Sequence, residues 1–429
     1  MNINRETILE TEIPVVKVTD LFMHWGVNTH AILEIKGILE YADVTFVMEK
    51  DYCKSEIKLI SDAVVYNNEE KDRILFHGLV QSVEVAERHG VGIVCIQAVS
   101  ATTALDYTDE KICRAFPPDK RTCVEMARAV VSQKGGNLIS TLEINETEGC
   151  ILCYQETAWQ FAKRLVSYHG GVLVPDVKTG HINLWFGMRN GRQIWEDMVL
   201  PVKEIRIKKD YCKREPGQVD KTYLVESMLG CSVGDWTMFL GQKLVIYDMT
   251  VRLEKGELLF LYKLSPEKKI RLARINNEAF SGLCLSGRVE KTSGEVVYVL
   301  FDMDQAQCVC AYPWMPDTGN TFYSMPEVGA WVEIYFTDSD ERNGIAVHGM
   351  TTVMGKTTDK IFMTPHEGTV KLSENHLEIR KNNEKICFQD GYGIRFTGNR
   401  FEIGSEGSVK LRAGNIVLHA VTELKAVTE

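Results

Sequence analysis

Between about Gly368 and Leu418 the sequence repeats one small unit, two apolar residues flanking a single polar one. The pairs are Val370 with Leu372, Leu377 with Ile379, Ile386 with Phe388, Ile394 with Phe396, Phe401 with Ile403, Val409 with Leu411 and Ile416 with Leu418. Their first members step by 7, 9, 8, 7, 8 and 7 residues. Turn formers separate them: Ser373-Glu374-Asn375, Asn382-Asn383, Asp390-Gly391, Gly398-Asn399, Gly404-Ser405 and Ala413-Gly414. A period near eight with alternation inside each unit is the sequence form of a β-solenoid. Each strand offers two inward residues, too few to bury a face by itself. Stacking, and the winding together of several chains, must supply the core. The expectation for residues 365–429 is a narrow, polar-coated prism with these fourteen side chains inside. Seven strands at about 4.8 Å make it roughly 35 Å long.

The rest of the chain reads as what holds that prism. At 429 residues it exceeds one ordinary core, so several domains are expected. The formal net charge of −10 argues against a nucleic-acid partner, which would need clustered Lys and Arg. The basic runs Arg206-Ile207-Lys208-Lys209 and Lys268-Lys269-Ile270-Arg271 read as solvated faces. No stretch approaches the ~18 apolar residues of a membrane span, and the first residues carry no signal-peptide pattern. The expectation is synthesis in the cytoplasm, with export only as part of a larger machine.

Twelve cysteines predict free thiols in a reducing compartment. Cys150 and Cys153 form a C-x-x-C and Cys308 and Cys310 a C-x-C, but neither pair has ligand partners at conventional spacing. Both read as small buried hydrophobes rather than metal or redox sites. Asp302 and Asp304 read as solvated loop acids, with no base or pocket signature nearby. No G-x-S-x-G, H-E-x-x-H or P-loop is present, and His366, His376 and His419 make no metal-binding pattern. No catalytic residue, cofactor or metal is expected.

Taken in order, residues 13–110 read as strands (around Ile32, Ile35 and Ile38, then Val44–Met48, Ile74–Val80, Val83–Val85 and Gly92–Ala98) and predict a small antiparallel barrel. Thr122 with Glu125 and Thr157 with Gln160 make two capping boxes, each followed by a helical apolar stripe and ended by paired glycines. A hairpin at Val172–Phe186 completes an α+β insert. Residues 195–275 return to strands, an echo of the first block too faint to read as a repeat. About five strands between Gly282 and Gly349 fit an OB-type barrel.

The segment Tyr312-Pro313-Trp314-Met315-Pro316, with Tyr323, Pro326 and Gly329 following and Val332–Phe336 behind them, resembles the OB domain of contractile-tail spikes, the VgrG and phage baseplate hub–spike proteins. Phe76-His77-Gly78 resembles the hub strand of that family. Glu156-Thr157-Ala158-Trp159-Gln160-Phe161 resembles its helix opening E-T-x-W-x-F. The matches fall in family order, and a β-solenoid follows.

The resemblance implies a mainly β chain with an α+β insert. Its parts are a first hub barrel (1–110), the insert (111–195), a second hub barrel (196–277), an OB collar (278–352) and a trimeric β-helix spike (365–429). It further implies a homotrimer whose two barrels per chain present six to a six-fold tube, with the three prism segments driven through a target envelope. The implied partners are the tube or a tube-initiator protein and baseplate proteins; at Val421 to Glu429 the two readings are a separate tip protein capping the prism and a bare blunt end. Met350 to Pro365 leaves no room for a lysozyme domain, and the chain stops at Glu429 without an effector, which points to a simple phage tail or tail-like bacteriocin. A spike-delivered cell-wall hydrolase and a β-solenoid adhesin are the rival readings.

Overall fold

Long runs of alternating apolar and polar residues set most of the first hundred residues as strands, and the computed structural model places them in one sheet. It describes residues 1–425 except 2, 4–6, 63–73, 108–110, 118–120, 144–148, 197–201, 212–218, 305–307, 316–323, 351–357, 365 and 367. The chain divides into two units, Met1–Met350 and Thr351–Glu429.

The first block contains β1 (Thr7–Thr11), β2 (Val15–Gly26), β3 (Ile32–Leu39), α1 (Tyr41–Glu49), β4 (Glu56–Ser61), β5 (Ile74–Arg88) and β6 (Val91–Ser100), in sheet order β1-β4-β5-β6-β3-β2. Val44-Thr45-Phe46-Val47-Met48, expected as a strand, is helical and lies in α1. The buried residues there are Val44 and Val47, a helical i, i+3 pair, while Phe46 and Met48 face solvent. A run of β-branched and aromatic residues imitates a strand, and only the burial pattern separates the two readings.

The insert follows, with β7 (Ile112–Phe116), α2 (Cys123–Gln133), β8 (Asn137–Ser140), β9 (Ile151–Glu156), α3 (Ala158–Tyr168), β10 (Leu173–Pro175) and β11 (Asn183–Phe186). Both expected capping boxes form, Thr122 with Glu125 and Thr157 with Gln160. The antiparallel ribbon β7–β9 is buried on both faces. Phe116, Ile151 and Cys153 enter the core under α2 and α3, while the alternating residues Ala115, Cys150 and Leu152 enter the core of the OB domain.

The second block contains β12 (Gln193–Glu196), β13 (Val202–Tyr211), β14 (Val219–Ser227), β15 (Trp236–Phe239), β16 (Gln242–Glu254) and β17 (Glu257–Ser265). Its order, β15-β16-β17-β14-β13, repeats β4-β5-β6-β3-β2 strand for strand. The irregularities repeat too. The ladder of β2 with β3 shifts between Val18 and Asp20, that of β13 with β14 between Val202 and Glu204. The ladder of β5 with β6 shifts between Val80 and Ser82, that of β16 with β17 between Ile246 and Asp248. Both hairpin tips turn through two residues of positive φ, His89-Gly90 and Lys255-Gly256, the geometry of a two-residue hairpin. The faint echo in the sequence is a topological repeat. The copies join where β2 pairs antiparallel with β16, Phe22 opposite Arg252 through Gly26 opposite Asp248, and they share one apolar core.

The OB-type barrel is β18 (Cys284–Ser293), β19 (Val296–Phe301), β20 (Val309–Pro313), β21 (Trp331–Phe336) and β22 (Gly344–Met350), in order β20-β19-β18-β21-β22. A parallel bridge of Trp314 to Ala346, with the Met315 N–H donating to the Ala346 carbonyl at 2.8 Å, brings the two ends together. Two expectations are corrected here. Asp304 is buried rather than solvated, and its Oδ2 accepts from the Cys308 backbone N–H at 2.9 Å. Cys150 and Cys310 are not free thiols but a disulfide, 160 residues apart, with Cα atoms 5.7 Å apart. The shared ribbon carries Cys150 to the barrel wall, a juxtaposition that neither C-x-x-C nor C-x-C spacing contains. Cys153 on the opposite face stays a buried thiol whose pKa burial pushes well up.

In the second unit β23 (Lys360–Met363), β24 (Gly368–Leu372), β25 (His376–Lys381), β26 (Glu384–Gln389) and β27 (Gly393–Thr397) form an antiparallel meander. Four of the seven apolar pairs lie in it, in mutual register. Val370 faces Ile379, which faces Ile386, which faces Phe396; Leu372 faces Leu377, which faces Phe388, which faces Ile394. The single chain is thus a meander rather than a solenoid coil at this point.

The prism core is expected between chains, and in the single chain its side chains are uncovered. Leu411 is 70% exposed and lies in no strand. Phe401, Ile403, Val409, Ile416 and Leu418 are likewise more than half exposed and outside any strand of the chain. Within the meander Leu372, Ile379, Phe388, Ile394 and Phe396 are exposed as well, and Val370, Leu377 and Ile386 are only partly buried. The physical reason is geometric. A single-layer meander leaves its faces without a second layer, and among the described residues the segment from Phe401 to Leu418 pairs with no strand.

Because Leu152 sits between the β9 backbone and the OB core, Leu152→Ala should cost about 2–5 kcal/mol and destabilise insert and OB barrel together. A single shifted urea transition, rather than loss of the OB barrel alone, is the outcome that checks this.

Candidate functional site

The residues singled out by sequence are joints between elements, each with its own chemistry. Phe76 on β5 is fully buried in the hub core. The next residue, His77, donates its backbone N–H to the Val177 carbonyl at 2.6 Å, and its Nε2 lies 3.0 Å from Glu56 Oε2. Its ring lies so close under Gly180 that a Cβ there would come within 2.4 Å of it, and Gly180 also has φ +70. At Gly78 a Cβ would meet the Val99 carbonyl at 2.2 Å and the Phe76 ring at 2.7 Å. The F-H-G triplet thus supplies a core anchor, a clasp on the insert's hairpin loop and a close strand approach.

The second motif is a helix start with four contacts. Thr157 caps α3 and its hydroxyl donates to Asp106. Trp159 packs on the His30 ring, centroids 4.0 Å apart, and Phe161 stacks with Phe116 in the insert core. His30 in turn lies 3.0 Å from Thr102 Oγ1 through Nδ1 and 3.0 Å from Asp106 Oδ2 through Nε2. Burial would raise the Asp106 pKa, but the hydrogen bonds from His30 and Thr157 outweigh it and hold the carboxyl below its ordinary value.

Glu156, the first residue of that motif, reaches a partner the sequence did not single out. Arg164, within α3, is 1% exposed. Its Nε and Nη2 donate to the two Glu156 oxygens, both at 2.8 Å, its Nη1 to Glu341 Oε1 and to the Tyr168 hydroxyl, both at 2.6 Å, and Nη2 also to the Leu152 carbonyl at 2.7 Å. Burial works against its charge. The Glu341 and Glu156 carboxylates more than offset this and hold its pKa well above the ordinary value. Burial raises Glu156 in spite of Arg164, and raises the Tyr168 phenol to about 12. Glu341 belongs to the OB domain, so one guanidinium ties β9, α3 and the collar. Around it Arg274 lies over the Tyr168 ring at 4.5 Å and bonds Asp340 at 2.9 Å. The sequence signal for Arg164 was a cation beside the apolar stripe of α3.

Of the expected collar residues, Trp314 is buried in the OB core and Gly329 takes φ +88 while donating to the Val289 carbonyl at 2.7 Å. Pro326 is half-buried in the segment leading to that turn; Pro316 and Tyr323 lie outside the described residues. Together these residues anchor and join elements of the scaffold. No group of three or more His, Cys, Asp or Glu placed to hold a metal occurs among the described residues, and no described helix is long and apolar enough to cross a membrane.

The scaffold has known counterparts. It is similar to the E. coli c3393 protein, a component of the type VI secretion system with structural similarity to the T4 bacteriophage tail proteins gp27 and gp5. The match has TM-score 0.56 and 12% identity and covers 80% of this chain and 100% of that one. It is similar to a chain of the PdpA–VgrG complex in its lidless form (TM-score 0.57, 10% identity, 93% of this chain and 100% of that chain). It is also similar to one in the lidded Francisella PdpA–VgrG complex (0.56, 10%, 89% and 76%). No family model matches the sequence, and no curated protein does. At these identities the likeness establishes the fold, which is the VgrG-like, gp27/gp5-like hub fold.

Arg164→Ala leaves two buried carboxylates uncompensated and should cost about 3–5 kcal/mol, read as a lower urea midpoint. Asp106 and Asp248, the latter held low against burial by His24 and Lys263, have depressed pKa values. Their stabilising contribution is present above the ordinary aspartate pKa of about 4 and is lost as pH falls through the folded values. Urea midpoints between pH 6 and 3 should fall, and Asp106→Asn should flatten that slope.

Proposed function

We propose that this chain is the structural hub–spike of a contractile injection machine. It is a homotrimer at the centre of a baseplate, joining a six-fold tube to a three-fold needle that punctures a target envelope. The observation that carries the reading is the apolar face of the second unit. Phe362, Val370, Leu372, Leu377, Ile379, Ile386, Phe388, Ile394 and Phe396 align on one side of the meander, and most are at least two-fifths exposed in the single chain. The opposite side carries Lys371, Glu378 and Arg395 in one row with Ile361 and Cys387. A one-sided ribbon of this kind, with open edges, needs a partner surface. Each apolar side chain gains about 1.5–3 kcal/mol on full burial. Two further copies supply that surface by three-fold winding, and they give the apolar pairs after Thr397, those of Phe401, Val409 and Ile416, their neighbouring strands.

The role needs no reacting group, and the joints of the hub are those of a rigid adaptor. Its partners are the tube or a tube-initiator protein, surrounding baseplate proteins and a separate tip protein. The envelope is touched only on firing. The chain is made in the cytoplasm and released within a phage tail or tail-like bacteriocin particle. The acidic balance leaves nucleic acid out of the scheme.

Sedimentation of the purified chain should give three times the 48.6 kDa chain mass, persisting in mild detergent. Phe396→Asp and Ile403→Asp should each abolish that species. A stable trimer in both variants, or murein-degrading activity of the purified chain, would overturn the reading, the latter in favour of a hydrolase.

A further inference from the structure

One covalent bond joins the insert to the OB barrel, at a place where the two are already held without it. Cys150 and Cys310 are 3% and 0% exposed and share one apolar cluster with Ala115, Leu152, Val299 and Tyr312. Around them Arg164 bonds Glu341 at 2.6 Å, and the Asn277 side chain donates to the Tyr154 carbonyl at 2.8 Å. The Tyr154 and Phe280 rings, centroids 5.6 Å apart, add a further contact. The docked elements place the two cysteines with Cα atoms 5.7 Å apart, inside the range a disulfide spans. Cysteine thiols behave as small hydrophobes, so the same core accepts the pair reduced. Elsewhere the chain keeps thiols, exposed at Cys53 and Cys284 and buried at Cys153 and Cys231, the pattern of a protein made in a reducing compartment.

We propose that the Cys150–Cys310 bond is a redox-controlled lock on this joint. The insert and the OB barrel fold and dock with both thiols reduced, and the bond closes later, when the chain meets a small-molecule disulfide. This lock is a property of the joint and goes beyond the hub–spike reading.

The two cysteines differ in how a reagent reaches them. Cys310 lies within β20, opposite Val299, and is fully buried. Cys150 lies one residue beyond the last ladder pair of the ribbon, Phe116 opposite Ile151, and follows the exposed turn residue Gly149 at φ +81. Fraying of that end uncovers Cys150 while the barrel stays closed, so Cys150 reacts first. Its thiolate attacks one sulfur of the small-molecule disulfide, forms a mixed disulfide and expels one small thiolate. When the ribbon end closes again, the Cys310 thiolate attacks Cys150 Sγ, forms the internal bond and expels the second. Two electrons pass from the cysteine pair to the reagent, and the two cysteine protons end on the two small thiols released. A small dithiol reverses the sequence, again entering at Cys150.

The test uses the full chain, purified in dithiothreitol and then exchanged into glutathione disulfide. Peptide mass mapping without reduction should find Cys150 joined to Cys310 only after the exchange. The reduced chain should match the oxidised one in circular dichroism and sedimentation and unfold at a lower urea concentration. In Cys150→Ala/Cys310→Ala the urea midpoint should not respond to the oxidant. A bond that does not form, a reduced chain that is unfolded, a midpoint that does not move, or an equal response in the double variant each overturns the lock. The order of attack is read on the folded single variants. Glutathione should attach to Cys150 in Cys310→Ala at least ten-fold faster than to Cys310 in Cys150→Ala. Equal rates, or a faster Cys310, overturn entry at the ribbon end.

Discussion

A guanidinium with almost no solvent access holds the hub to its collar. Arg164 receives carboxylates from its own helix start and from the OB domain, and it also binds the carbonyl of the strand both domains share. A buried charge of this kind is a poor source of net stability, because desolvation opposes the attraction. Its value is geometric. A planar fork with five bonds tolerates little displacement, so α3, β9 and the Glu341 turn are fixed in one arrangement. The two-faced ribbon β7–β9 does the same with apolar side chains, giving alternate residues to two cores. Charge and packing therefore meet at one place and define the joint between the insert and the OB domain.

Much of the fold could be read from local pattern, and the failures share a cause. Capping boxes, glycine stops and the hairpin of the insert are set by residues three to ten apart, and they stand where the sequence places them. The OB strands follow from period-two alternation. Val44–Met48 misleads because strand-forming side chains sit in a short helix whose burial decides the matter. β13 and β14 are hidden because an edge hairpin carries charge along both strands. Leu411 and its neighbours mark a different limit. Their alternation is plain in the sequence, yet alternation says only that a face is apolar and not what covers it, and in the single chain nothing does.

The internal repeat escapes for a subtler reason: pairing order and ladder shifts are shared between the copies while the side chains are not. Ser82 stands where Asp248 stands, and Glu84 where Thr250 stands. The same limit applies to the candidate site. Phe76-His77-Gly78 and the E-T-x-W-x-F opening are visible as strings, but His30, Asp106, Val177 and Glu341, which give those strings their roles, lie between 51 and 185 residues away. The Cys150–Cys310 bond is the extreme case, since its two halves each look like a local motif and neither is.

That bond also changes how tension travels along the polypeptide. The covalent loop it closes contains α3, the small hairpin and the whole second hub repeat. Once it is formed, a pull applied at residue 150 and residue 310 runs through the bond directly, and residues 151–309 lie outside that covalent path. The second barrel lies off that covalent path, so such a pull does not draw on its backbone.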